Sequence, residues 1–130
     1  MKAERVKQLR KILFRESEGV GERKWASYEL TPEERQCLDE PFPFLVGVIA
    51  DGAHNGAKRS WALPYRLELR IGHLNPNRIS SWSPVELGEV LAKSPALHRY
   101  PRQTAQFIVR SARQIYAVYN GNTSALWAGH

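Results

Sequence analysis

At 130 residues, with 42% hydrophobic and 25% charged side chains, the chain fits one globular domain and excludes wholesale disorder. No apolar run reaches the roughly 18–20 residues that span a bilayer, no signal-peptide core follows the mixed start at residues 1–10, and the lone Cys37 rules out an internal disulfide or a multi-cysteine cluster. The net charge of +6 is concentrated late: residues 66–130 carry eight Lys and Arg against three acids, and no acid follows Glu89.

The expectation is therefore a soluble intracellular domain with no membrane partner. Its one-signed second half makes a positive field suited to a polyanion, nucleic acid first. The alternative reading of the same charge is a solvated basic helix face with no partner.

In chain order, the first helical signal covers residues 2–15, where Val6, Leu9, Ile12 and Leu13 form one apolar stripe between basic flanks. The glycine-containing stretch 16–21 breaks it. Residues 19–30 have no clear period and are expected on the surface. Thr31-Pro32-Glu33-Glu34 joins an N-cap, a proline at the first helical position and carboxylates in the first turn, which predicts a short helix ending near Asp39.

The most apolar run, residues 44–50, follows Pro41-Phe42-Pro43 and reads as a buried helix, because Pro43 suits a helix start and no second strand-like run exists to pair with it. Asp51-Gly52-Ala53-His54-Asn55-Gly56 gives it a polar end. Residues 57–71 form the next helical pattern, closed by Gly72, with Pro64 expected to kink it or mark its true first turn. Residues 73–82 read as a loop with a short turn. Ser83-Pro84 repeats the cap-plus-proline start, and Ser94-Pro95 ends that helix. The last long helix runs from Pro101 to about Tyr119, with Ala105, Ile108, Ala112, Ile115 and Tyr119 on one face and Arg102, Arg110 and Arg113 away from it. After Asn120-Gly121-Asn122, residues 123–127 read as the beginning of a further helix. The fold class is all-α, with five to seven helices.

The order Pro41-Phe42-Pro43-Phe44-Leu45-Val46-Gly47-Val48-Ile49, a polar helix end, Trp61 in the next helix, and Leu97-His98-Arg99-Tyr100-Pro101 before the Ala105/Ile108 helix is similar to the N-terminal part of the helix-hairpin-helix DNA glycosylases, with the endonuclease III group the nearest in kind. The resemblance covers about residues 41–130. It implies an orthogonal helical bundle at 41–130, incomplete at the C-terminus, preceded by a helical extension over residues 1–40. In that family the apolar helix ends in a turn whose glutamine fills the gap left by a flipped base. Without gaps, Ala53 stands at that place, with Asp51, Gly52, His54 and Asn55 around it.

The family's second contact is an apolar wedge before the long helix, and Leu97, His98, Arg99 and Tyr100 occupy that position. A wedge flanked by cations suits DNA, since it unstacks bases while arginine holds phosphate. The implied DNA contacts are thus Asp51, Gly52, His54, Asn55, Leu97, His98, Arg99, Tyr100, Arg102, Arg110 and Arg113. For both segments the competing reading is structural: a capped turn at residues 51–56, and core packing for Leu97 and Tyr100.

The glycine-rich hairpin, the catalytic lysine and aspartate, and the iron–sulfur cysteines of the family fall beyond the segment that matches here, so a DNA-binding role in base-excision repair without catalysis by this chain alone is expected. No cofactor and no metal are expected: the four histidines lack an i, i+4 pairing, and Cys37 stands without a local catalytic signature. Trp25, Trp61, Trp82 and Trp127 read as core anchors. The expected partner is DNA, joined by a separately encoded C-terminal half or a second copy. Two alternatives come from other classes: a protein–protein module docking through an apolar patch at Leu126 and Trp127, and an enzyme with its site at the polar turn.

Overall fold

The computed structural model describes residues 29–52 and 55–126. The expected helix at 2–15 lies outside them, as do Trp25, His54 and Trp127. Among the described residues the fold is helical, without strands. Its elements are α1 (Pro32–Cys37), α2 (Pro41–Asp51), α3 (Ala57–Ile71), α4 (Pro76–Ile79), α5 (Pro84–Ala92), α6 (Pro101–Tyr119) and a closing 3-10 turn, Thr123–Leu126.

Proline sets most of the helix starts. α1, α2, α4, α5 and α6 each begin on one, where the missing N–H costs nothing and the fixed φ is already helical. Thr31, Asn75 and Ser83 add side-chain caps. At Thr31 the capping box is complete: the Glu34 N–H donates to Thr31 Oγ1 at 3.1 Å, and the Thr31 N–H donates to Glu34 Oε1 at 2.8 Å. The buried Glu34 also pairs with Arg66 of α3 at 3.3 Å.

The core joins the inward stripes of all the long elements. Leu45, Val46 and Ala50 of α2 meet Trp61, Leu63 and Leu67 of α3, while Leu87 and Leu91 of α5 meet Ala105, Ile108, Ala112 and Ile115 of α6. Gly47 lets α2 and α3 approach, because a Cβ there would stand 2.5 Å from Trp61 Cε3. Leu30 and Leu38, on either side of α1, are buried in the same cluster, so the surface position expected for the stretch ending at residue 30 does not hold at Leu30 itself.

Two further local expectations narrow and one changes. α3 continues through Pro64, which therefore does not mark its first turn. The stretch 73–82 contains a one-turn helix, α4, started by Asn75-Pro76. The segment after Asn122 is a 3-10 turn, and its Leu126 is fully buried, so the apolar patch expected at Leu126 and Trp127 does not include Leu126. Asn120 and Gly121, both at positive φ, turn the chain sharply enough to return Leu126 to the core. No helix among the described residues is long and apolar enough to cross a membrane.

Candidate functional site

The two segments singled out in the sequence, the end of α2 and the loop before α6, lie side by side. His98 is the link. Its ring is 1% exposed, and Nε2 stands 2.9 Å from the Ala50 carbonyl oxygen in the last turn of α2. Nδ1 accepts the Tyr100 N–H at 2.8 Å and lies 3.0 Å from Thr104 Oγ1. Because Nδ1 is an acceptor, Nε2 carries the proton and donates it to Ala50, which fixes a neutral ring. Burial lowers the His98 pKa below the usual histidine value; the bond to Ala50 opposes this, and the Arg59 charge adds to it.

A second bond reinforces the link. The Arg99 N–H donates to Asn55 Oδ1 at 2.8 Å, with Asn55 itself buried. Asn55 Nδ2 is buried without a partner among the described residues. Asp51 is half-buried and Gly52 exposed at the same helix end.

The loop separates its residues into two kinds. Leu97 and His98 turn inward, and the Leu97 N–H donates to the Leu91 carbonyl at 2.8 Å. Arg99 and Tyr100 turn outward; Tyr100 is 47% exposed, with the Arg99 guanidinium carbon 6.0 Å from its ring centroid. The exposed aromatic at this place is therefore Tyr100, while Leu97, His98 and Asn55 hold the scaffold.

The arginines divide similarly. Arg99, Arg102 and Arg110 are exposed, and neither ion pair among the described residues involves them. Arg113 is exposed too, but its Nε and Nη2 donate to the carbonyls of Ser80 and Trp82, each at 3.0 Å. Two arginines of α3 escaped the sequence reading. Arg59 Nη2 donates to the Ala96 carbonyl at 2.6 Å. Arg70 donates to three carbonyls: Val90 at 2.6 Å, Lys93 at 3.0 Å and Pro95 at 2.6 Å. Only their shared helix face was readable in advance, since the acceptors are main-chain atoms of a distant segment.

A separate cleft of about 760 Å³ lies at the opposite ends of α2 and α3, with Glu33, Cys37, Glu40, Glu68, His73 and Asn122 among its walls. It shares no residue with the two candidate segments. Cys37 is half-buried there, its Sγ 3.6 Å from Glu68 Oε1. Burial and the neighbouring Glu68 carboxylate push its pKa up to about 12, so the thiol stays protonated and is a poor nucleophile. No group of three His, Cys, Asp or Glu residues among those described could hold a metal ion.

Compared with known proteins, the chain matches no family model, no curated protein and no solved structure.

Proposed function

We propose that this chain is a DNA-binding helical domain related to the helix-hairpin-helix base-excision repair glycosylases and does not perform glycosylase chemistry alone. The observation that carries the reading is the joining of the α2 end to the 97–100 loop through His98–Ala50 and Arg99–Asn55. Two segments that the resemblance assigns to one lesion, the first to the gap of the flipped base and the second to the strand opposite it, are neighbours held by four polar atoms, and an exposed aromatic projects beside them.

In this reading Tyr100 is the wedge, a flat side chain able to stack where a base has been displaced. Arg99 holds phosphate next to it. Arg102 and Arg110 extend the contact along α6, about 12 Å apart at 1.5 Å per residue. The absence of acids after Glu89 keeps the α6 field positive.

Titration of the full chain against intact and abasic duplexes, each at two salt concentrations, tests the proposal. The expected result is binding that weakens steeply with salt, because each neutralised phosphate releases counterion. Arg99→Ala and Arg102→Ala should each reduce the salt slope by about one. Tyr100 as the wedge predicts tighter binding to the abasic than to the intact duplex, and Tyr100→Ala should erase that difference while leaving the slope unchanged. Tight binding indifferent to salt would overturn the mechanism.

A further inference from the structure

Arg59 and Arg70 stand eleven residues apart on α3, three helical turns, which puts them on one face about 16 Å from each other. Leu63, between them, is buried in the core, while Arg59 and Arg66 are exposed, so the pair runs along the flank of the buried side of α3. Both guanidinium groups point at the main chain that connects α5 to α6. Arg70 gathers Val90, Lys93 and Pro95, which includes carbonyls left open at the end of α5. Arg59 takes the Ala96 carbonyl, one residue before Leu97. The segment 90–96 is thus gripped at both ends, and the residues that follow it are Leu97, His98, Arg99 and Tyr100.

From this geometry we infer that Arg59 and Arg70 are positioning residues for the 97–100 loop: their guanidinium groups are engaged by backbone carbonyls, and they act on a bound strand only by fixing where Arg99 and Tyr100 project. The inference rests on the DNA-binding reading for its purpose and on the guanidinium–carbonyl contacts for its mechanism. A planar fork donating to three carbonyls specifies a position that a single point charge does not, so lysine is not an equivalent replacement at residue 70. The acceptors are largely exposed, and water satisfies them when the guanidinium is removed; loss of the grip therefore loosens the loop without unfolding the bundle.

The test compares Arg59→Ala, Arg70→Ala and Arg70→Lys with wild type in the full chain, using the abasic duplex as probe and amide hydrogen exchange as a DNA-free readout. Arg70→Ala should speed exchange at the Leu97 and Arg99 amides and lower affinity by about tenfold, the scale of re-ordering a loosened loop, with the salt slope unchanged. Arg70→Lys should not rescue either effect, and Arg59→Ala should show both in weaker form. A reduced salt slope with unchanged exchange would mean that Arg70 touches phosphate directly and would overturn the inference. So would unchanged affinity beside a wild type that binds. A wild type that binds no duplex would instead refute the DNA-binding reading, and with it the purpose assigned to the grip.

Discussion

The Arg99 amide and the Asn55 side chain meet at 2.8 Å across forty-four residues of sequence, and together with His98–Ala50 this bond fixes the spacing between the α2–α3 turn and the α5–α6 loop. Asn55 is buried and Arg99 exposed, so the bond between them is half-buried. Asn55→Ala should cost about 0.5–1.5 kcal/mol, the range for losing one ordinary hydrogen bond. Urea denaturation measures the loss, and faster exchange of the Arg99 amide would locate it. An unchanged midpoint together with unchanged exchange would show that the bond does not matter.

The neutral His98 makes the same junction sensitive to acid. Its folded pKa lies below the ordinary value, so below pH of about 6.5 the unfolded chain binds more protons than the folded one. Stability is then complete above that pH and falls as the pH drops from it toward the folded pKa. His73, also lowered, chiefly by burial and by Arg78, contributes with the same sign. Protonating Nδ1 would set a new N–H against the Tyr100 N–H. His98→Gln should lower the denaturation midpoint at pH 7.5 and flatten its decline between pH 6.5 and 5, leaving the His73 part.

Much of this architecture was legible because its signals are local. Thr31-Pro32 and Ser83-Pro84 announced α1 and α5, the 3.6-residue stripe of Ala105, Ile108, Ala112 and Ile115 announced α6, and Gly72 closed α3. Asn75-Pro76 carried the same cap-plus-proline signal and was a readable start for α4. Burial of particular polar residues was not legible. Asn55 and His98 sit in polar stretches that read as surface, and only long-range partners, Arg99 and Ala50, make burying them tolerable. Leu126 went unread for a related reason: Asn120-Gly121 is a readable stop with positive φ at both residues, but where the chain goes after it is set by packing against distant parts of the core.

Gly47 inside α2 and Gly52 at its C-cap should respond in opposite directions to the same change. Gly47→Ala gains helix propensity but drives a methyl into the buried Trp61 ring, whose Cε3 and Cζ3 lie 2.5 and 2.6 Å from the new Cβ position. Overpacking of this kind costs about 1–3 kcal/mol. Gly52 has φ −66 and its nearest neighbours stand at 3.6 Å, an ordinary contact. Gly52→Ala should therefore be neutral or stabilising by up to about 1 kcal/mol. Thermal melts of the two variants should move apart; a shared direction would contradict the close α2–α3 approach.

Arg110 and Arg113 occupy neighbouring exposed positions on α6, yet only Arg113 is tied to the main chain, through Ser80 and Trp82. Those bonds hold the 80–82 stretch, where α4 leads into α5, against the long helix. Arg113→Ala should cost about 1 kcal/mol of stability, since hydrogen bonds from a charged group contribute more than neutral ones but are weakened here by exposure. Arg110→Ala should stay within about 0.5 kcal/mol. On the proposed DNA-binding reading, the order reverses in DNA titrations. Removing the free Arg110 should reduce the salt slope by about one. Removing Arg113 should weaken binding with a smaller change of slope, because its guanidinium is already directed to the two carbonyls. Equal slopes for the two variants would show that carbonyl contacts do not withdraw an arginine from phosphate, and the same doubt would then extend to Arg70.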